Sequence, residues 1–414
     1  MGASDKIYGL VGEHLGHSFS PRIHARLGNP DYRLFELTPQ ELEAFVRRDD
    51  LGGLNVTIPY KQDVLPLVDA CSPTVEAVGA ANTLYRRGDQ LLAENTDVAG
   101  FVYMTERSGI SVAEKKVLVL GSGGASKAAV EGLRQLRAGT VLVVSRSGRS
   151  GISYDDLPAH YDADVIVNTT PVGMYPSNLE SPLDLTPFEK LSGVLDVIYN
   201  PLRTALLLQA EAFGIPCSNG LPMLVAQAVR AHECFFDTTV DDGVSESILA
   251  DLTREVTNLV LIGMPGSGKS TVAKRLAEQT GRTVLELDAA IEAVAGKSIP
   301  QIFEEDGEES FRQIESEQIA GAGARSGVIL SLGGGAVTRE RNYLPLHQNG
   351  RIYCLERDLE HLATDGRPLS KDLETLKQMA RERGPLYERF ADVTVANGGS
   401  PEETAEAILA DFNA

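Results

Sequence analysis

Read for the spacing of apolar and polar residues, the chain has two places where a wholly apolar run meets a glycine-rich turn and then an amphipathic helix. The first is VLVLG, then SGG and the helical ASKAAVEGLRQL, beginning near Lys116; the second is NLVLIG, then MPGSGKS and TVAKRLAEQTG, beginning near Asn258. The runs VLVVS, VIVNTT and GVLDVIY follow the first unit without alternation, as expected of strands covered on both faces in a parallel sheet. Ahead of Lys116, KIYGLVG, LGGLNVTI and NTLYRR alternate with helical segments such as PQELEAFVRR and predict a separate α/β lobe. The first half is therefore expected to be two lobes with a cleft between them. Between the two glycine-rich units, FDTTVDDGVSESILADLTREV is acidic and weakly patterned except for SESILADLTRE, which predicts a closing helix followed by a linker. The fold class expected throughout is α/β.

Composition narrows the class. A chain of 414 residues exceeds the size at which one core stops growing, so two or three domains are expected. With 43% hydrophobic and 23% charged residues it matches soluble globular proteins, and no apolar run approaches the roughly 18 residues that span a bilayer. The opening MGASDKIYGLVGEHLG has no basic segment leading into an apolar stretch, and Lys6 stands where a myristoylation signal needs Ser or Thr, so no export signal or lipid anchor is expected. Cys71, Cys217, Cys234 and Cys354 are too scattered for a zinc ribbon or a disulfide scaffold, which points to a reducing cytoplasm. The seven histidines include no HExxH pair, so a protein-held catalytic metal has little support. A formal net charge of -20 argues against nucleic acid as a partner and requires that small anionic ligands meet local clusters of Arg and Lys. Oligomeric state is left open.

The first glycine-rich turn reads Gly121, Ser122, Gly123, Gly124, Ala125, Ser126. Glycines there permit a tight turn and bring a pyrophosphate close to a helix N-terminus, although the spacing departs from strict GxGxxG and could also serve a turn alone. The next strand adds more. About 20 residues past the glycines, where NAD binders place an acid for the ribose, VLVVSRSG presents Ser145 and Arg146. A guanidinium can pair with a 2′-phosphate that a carboxylate would repel, which favours NADPH; a solvated strand-end arginine is the alternative.

At this point the words LGHSFSPRIHARLG, GLNVTIPYKQ, GAANTL, ENTDVAGF, GSGGAS, NTTPVGM and NGLPMLVAQA occur in the order found in shikimate dehydrogenases, and residues 6 to 255 resemble that family. The resemblance implies reduction of 3-dehydroshikimate to shikimate by NADPH. It assigns proton donation or orientation to Lys61 and the holding of that ammonium and the ring hydroxyls to Asp97. Ser18 and Ser20, two apart on backbone expected to be extended, point the same way and would bind the substrate carboxylate. By the same resemblance Thr57, Asn82, Tyr199 and Gln227 complete the ring contacts, and Asn168, Thr169 and Met174 of NTTPVGM join the cofactor side. In isolation Lys61 reads as a surface lysine and Asn95-Thr96-Asp97 as a helix cap; their joint occurrence with the other words selects the catalytic reading.

The second turn is a complete GxxxxGKS loop from Gly263 to Ser270, set between an apolar strand and an amphipathic helix. Backbone N–H groups of Gly266, Ser267 and Gly268 can wrap phosphate oxygens, Lys269 reaches the outer phosphates, Ser270 can ligate Mg²⁺, and Thr271 continues the loop into the helix. Such loops serve hydrolases, switches and kinases alike, so the acceptor site must separate them. LELDAAIEAVAGKSIPQIFEEDGEESFRQIE, ILSLGGGAV, GRPLS and RERGPLYERF resemble shikimate kinase, from Asn258 almost to the C-terminus. The implied reaction is transfer of the ATP γ-phosphate to the 3-hydroxyl of shikimate. Asp288 would take the hydroxyl proton, Arg312 and Arg383 clamp the carboxylate, and Gly333, Gly334 and Gly335 let backbone approach the ring. Arg367 would arrive on a lid to neutralise the transferring group. Two departures stand out: Glu286 replaces the first Asp of the family's DxD pair near the metal, and EHLATDG lacks the arginine that the family often stacks on adenine.

The expected organisation is thus a dehydrogenase-like part over 1–255, with a substrate lobe over about 1–100 and 231–255 and a Rossmann-like NADP lobe over about 101–230, then a P-loop kinase domain with a parallel sheet over 256–414. The two resemblances reinforce each other, because the product of the first reaction is the substrate of the second. The rivals are a quinate/shikimate dehydrogenase using NAD, a half that only senses its ligand or nucleotide, and a kinase for another small polyol or for a nucleotide. For the cofactor assignment, Arg146→Ala is expected to raise the KM for NADPH much more than that for NADH in steady-state assays; equal losses with both cofactors contradict it.

Overall fold

The computed structural model describes residues 6–16, 18–362 and 373–414. They form two compact units: Met1–Met174, Glu180–Tyr199 and Gln209–Asp251 make the first, and Tyr175–Leu179, Asn200–Leu208 and Leu252–Ala414 the second.

The first unit holds two sheets. One contains β1 (Ile7–Gly12), β2 (Arg33–Glu36), β3 (Leu51–Val56), β4 (Ala70–Cys71), β5 (Thr83–Arg87) and β6 (Gln90–Glu94), in the order β2-β1-β3-β5-β6-β4. Its β1, β2 and β3 run parallel, while β5 is antiparallel to both β3 and β6. The other contains β7 (Lys116–Leu120), β8 (Thr140–Val144), β9 (Val165–Asn168), β10 (Gly193–Asp196) and β11 (Cys217–Ser218), all parallel in the order β11-β10-β9-β7-β8. The unbroken apolar spelling of β7 and β9 has a direct cause. Val117, Val119, Val165 and Val167 pack one face against Phe101 and Met104 of the helix Thr96–Arg107 and Leu133 of the helix Gly124–Gln135, while Leu118, Leu120 and Ile166 on the opposite face are also fully buried, so neither strand has a face left for water. Because β8 lies on one side of β7 and β9 on the other, the chain reverses its winding there, and the loops leaving β7 and β9 open a crevice at the carboxyl edge.

The second unit repeats the plan with β12 (Asn258–Ile262), β13 (Val284–Glu286), β14 (Ile329–Ser331), β15 (Gly350–Glu356) and β16 (Val393–Ala396), parallel in the order β13-β14-β12-β15-β16. One face of this sheet buries Val260, Ile262, Leu330 and Ile352 against Ile319, Tyr387 and Phe390. The other buries Leu259, Leu261 and Leu355 against Val272, Leu276 and Ile408. Arg203, from the segment Asn200–Leu208, belongs to this unit and donates to the carbonyls of His347 (2.8 Å) and Gly350 (2.6 Å).

The closing helix expected from SESILADLTRE forms, but it runs from Asp242 to Val256 with only Thr257 before β12, and the boundary between the units falls inside it, after Asp251, so no separate linker follows the helix. The reason is apolar spacing: Ile248, Leu249, Leu252 and Val256 are all buried, which keeps the helix in register to its end. No helix among the described residues is long and apolar enough to cross a membrane, and the four cysteines are free thiols.

One buried group makes the first unit sensitive to acid. His24, on the helix Ser20–Arg26, has no exposed surface and stacks on Tyr32 with ring centroids 3.9 Å apart and planes 6° from parallel. Burial, reinforced by neighbouring His232 and opposed by Asn55, pushes its pKa down to about 3. An unfolded imidazole titrates near about 6.5. As the pH falls below that value the unfolded chain binds a proton that the folded chain refuses, so the contribution is complete above about 6.5 and is lost toward the folded value. The melting temperature is therefore expected to fall less between about pH 7 and about pH 5 in His24→Phe than in the wild type. Identical pH dependence in the two proteins contradicts this assignment.

Candidate active sites

The first site gathers at the ends of β3 and β5 and the start of the helix Thr96–Arg107. Lys61 lies in the turn after β3, and its Nζ donates to Asp97 Oδ2 at 2.6 Å, with both side chains largely shielded from water. Asp97 stands in the first helical turn, where the backbone dipole also favours its charge. Asn82, 3% exposed, fixes the other carboxylate oxygen: its Nδ2 donates to Asp97 Oδ1 at 2.9 Å while its Oδ1 accepts from the Thr96 N–H at 2.7 Å. Asn95 is the N-cap of that helix, as the cap alternative for Asn95-Thr96-Asp97 has it, but its side chain makes no cap hydrogen bond and Asp97 is turned to the lysine.

Ser18 and Ser20 come together differently from expectation. Ser20 opens the helix Ser20–Arg26 and Ser18 precedes it in a turn closed onto Leu15, so this backbone is not extended. Pro21 at the helix start and the Ser18 turn fold the pair so that the two hydroxyls lie 3.1 Å apart. Thr57 follows β3 and gives its backbone N–H to Val11. Tyr199 packs on Phe19 at 5.6 Å between ring centroids, which places it beside the serine pair. Gln227, on the helix Leu221–Phe236, turns its amide back to the Leu224 carbonyl at 2.9 Å.

On the cofactor side, Gly121 leaves β7 with φ +107, and a Cβ there would sit 2.8 Å from Thr169 Oγ1, so a side chain is excluded on both counts. Thr169 donates from its hydroxyl to the Leu120 carbonyl at 2.6 Å, which ties the ends of β7 and β9 together. Ser122, Gly123, Gly124, Ala125 and Ser126 carry the chain into the helix Gly124–Gln135, whose N-terminal N–H groups face the crevice edge. Ser145 is buried at the end of β8 and Arg146 beyond it is exposed, without an ion-pair partner among the described residues. Met174 presents an exposed thioether, but Asn168 is fully buried and its amide serves Asp196, Val172 and Thr170. Asn168 thus shapes the loop from inside and its side chain is not on the surface.

The second site surrounds a cavity of about 570 Å³ whose lining includes Gly266, Lys269, Asp288, Gly333, Arg312 and Arg383. Lys269 Nζ donates to the carbonyls of Gly263 (2.9 Å) and Met264 (3.0 Å), folding the phosphate loop over itself; Ser267 is buried beneath it and Thr271 lines the cavity with Gly268. Ser270 Oγ donates to Glu286 Oε2 at 2.9 Å, while Glu286 Oε1 is buried without a hydrogen-bond partner among the described residues. A hydroxyl and a carboxylate with an oxygen to spare are the hard donors that Mg²⁺ takes, so the residues fit that ion, and the longer side chain of Glu286 reaches the loop serine.

Arg312 is 4% exposed and is held by two acids, Glu315 Oε2 at 2.7 Å and Glu308 Oε1 at 3.2 Å. Glu315 is 1% exposed, and burial raises its pKa even though Arg312 pulls the other way. Sequence reading missed Glu315, although an acid three residues past an arginine on one helix is a recognisable signal. The triple glycine is no loose turn: a Cβ at Gly335 would fall 2.2 Å from Arg312 Nη1, and one at Gly333 would fall 2.9 Å from Asp288 Oδ1. The Gly334 carbonyl accepts from Arg383 Nη1 at 3.0 Å and from the Tyr387 hydroxyl. Arg367 lies outside the described residues.

Fold and geometry together define a two-sheet α/β reductase module followed by a P-loop phosphotransferase module. Residues 10–84 match the family model for the shikimate dehydrogenase substrate binding domain, and residues 265–413 match that for shikimate kinase. A shikimate dehydrogenase (NADP(+)) of Caldicellulosiruptor saccharolyticus is 37% identical over 278 residues, which is 60% of this chain and 98% of that protein. Among solved structures, a chorismate mutase/shikimate 5-dehydrogenase fusion protein from Clostridium acetobutylicum superposes with a TM-score of 0.57 at 38% identity, covering 60% of this chain and 96% of that one. The shikimate 5-dehydrogenase from Thermus thermophilus, solved in complex with NADP(H) and shikimate, gives 0.55 at 29% identity over 59% of this chain and 99% of its own. The chain belongs to the shikimate dehydrogenase family and continues into a shikimate kinase domain.

Proposed function

We propose that the chain is a bifunctional enzyme that reduces 3-dehydroshikimate to shikimate with NADPH and then phosphorylates the 3-hydroxyl of shikimate with ATP. The observation that carries this reading is that a cation held against a buried or shielded carboxylate occurs twice, as Lys61–Asp97 and as Arg312–Glu315, each within a constellation suited to a polyhydroxylated ring acid. The division of labour is 1–255 for the reductase and 256–414 for the kinase.

In the reductase, Ser18 and Ser20 present paired hydroxyls to the ring carboxylate, while Thr57, Tyr199 and Gln227 complete its surroundings. Lys61 places an N–H at the oxygen that becomes an alkoxide and gives it a proton; Asp97, oriented by Asn82, keeps the ammonium in place and accepts from the ring hydroxyls. NADPH supplies the hydride that adds to the carbonyl carbon. Arg146 would hold its 2′-phosphate, the turn from Gly121 to Ser126 would hold its pyrophosphate, and Thr169 and Met174 would hold its nicotinamide end, with Asn168 bracing that loop.

In the kinase, Arg312 and Arg383 hold the shikimate carboxylate and Asp288 accepts the proton of the attacking hydroxyl. Gly333, Gly334 and Gly335 leave room for the ring against the backbone. ATP supplies the phosphoryl group, and Ser270 and Glu286 would hold a Mg²⁺ ion, which would offset the phosphate charge. Lys269 and the N–H groups of Gly266 to Ser270 bind the phosphates, and Arg367 approaches the transferring group. Free thiols and a strongly negative net charge support a cytoplasmic setting with small-molecule partners and neither nucleic acid nor membrane.

The test gives purified protein 3-dehydroshikimate, NADPH, ATP and Mg²⁺ and follows NADPH absorbance and phosphorylated product separately. Lys61→Ala is expected to slow NADPH oxidation by roughly 10²-fold to 10⁴-fold while phosphorylation of added shikimate continues. Lys269→Ala is expected to do the reverse. ATP left unspent by the wild type in the presence of shikimate, or both steps lost together in either variant, refutes the assignment.

A further inference from the structure

Of the basic residues lining the second unit's cavity, three are already committed: Lys269 to loop carbonyls, Arg312 to Glu308 and Glu315, and Arg383 to the Gly334 carbonyl. The fourth is Arg357, the residue immediately after β15. It is exposed and, among the described residues, has neither a hydrogen bond nor an ion pair, although Glu356 and Asp358 flank it in sequence. Its guanidinium does not turn to the acids of the same lining, Glu286, Asp288, Glu292 and Glu315. Instead Nη1 lies 3.7 Å from the point where a Cβ on Gly268 would stand, beside the loop residue that caps the helix Lys269–Thr280. β15 neighbours β12, from whose end the phosphate loop springs, so the strand order itself brings Arg357 to that loop.

We propose that Arg357 is a phosphate ligand of the bound nucleotide, pairing with phosphate oxygens of a nucleoside triphosphate beside Gly268. The inference rests on the kinase reading of this cavity. In a chain with 58 acidic and 38 basic residues, an unpaired guanidinium next to converging backbone N–H groups is a second source of positive potential at the place where a polyphosphate would sit. Its planar fork suits two phosphate oxygens at once, which the single ammonium of Lys269 does not. A contact of this kind exists before phosphoryl transfer as well as during it, so it acts on binding, and its loss appears in the KM for ATP more than in kcat. Sequence reading had no means of selecting Arg357, because it lies 89 positions from Gly268 and outside the loop motif.

The test titrates ATP, ADP and inorganic tripolyphosphate into the full-length protein by calorimetry, with shikimate titrated separately. Arg357→Ala is expected to weaken ATP and tripolyphosphate alike, roughly tenfold, as the loss of one charge-assisted contact does, and to leave shikimate affinity as it was. Arg357→Lys is expected to recover part of the loss. Unchanged ATP affinity overturns the proposal, and so does a loss for ATP with none for tripolyphosphate, which would place the contact on the base. If the alanine variant also loses shikimate, the lysine variant decides: a loss as large as that of alanine overturns the proposal. Failure of the kinase reading would look different, since the wild type itself would then leave shikimate unphosphorylated in the presence of ATP, whatever its ATP affinity.

Discussion

A basic side chain can be held at one point inside a folded protein only if fixed partners take up its N–H groups, and each active site has one cation whose partner is a carboxylate. The Lys61 ammonium sits 2.6 Å from Asp97, and Arg312 sits 2.7 Å from Glu315, with the second pair almost wholly out of water. Isolated, such cations would carry a desolvation cost of several kcal/mol each. Paired, they keep a fixed position and present their remaining N–H groups to a ligand.

The scaffold sets where the two glycine-rich turns stand. Each unit winds a parallel sheet outward from an interior strand, β7 in the first and β12 in the second, and each places its glycine-rich turn at the carboxyl end of that strand. The neighbouring loop is then brought alongside: Thr169 closes onto Leu120 in one unit, and Gly333 to Gly335 close onto Asp288 and Arg312 in the other. Glycine serves different ends at the two turns. Gly121 needs a backbone conformation that side chains disfavour, whereas Gly335 needs only that nothing project into the Arg312 guanidinium. Binding sites therefore form where winding reverses, and the chemistry differs with the side chains that reach the reversal.

Much of this was legible in the chain before any coordinates. Fully apolar strands, the two glycine-rich turns and the GKS loop are local features, so periodicity and spacing reveal them, and ordered motifs brought Lys61, Asp97, Asp288 and Arg383 forward. What escaped was set by distance along the chain or by burial. The hydroxyl contact of Ser18 and Ser20 depends on a helix beginning at Ser20, which a short apolar-polar pattern does not distinguish from extended backbone. Asn168 belongs to a motif that the family resemblance assigns to cofactor contact, yet its amide is spent internally. Glu286 looked like a departure from an Asp, and its carboxylate accepts from Ser270, sixteen positions earlier. The closing helix swallowed the expected linker because its apolar residues recur to Val256.

The account's central claim is that one chain holds two separate pockets for the same small ring acid. Equilibrium dialysis of radiolabelled shikimate against the full-length protein, with NADP⁺ and ADP present to complete both sites, measures that claim directly. Saturation at two shikimate molecules per chain is the result the account requires; saturation at one, with no second phase at higher concentration, would contradict it.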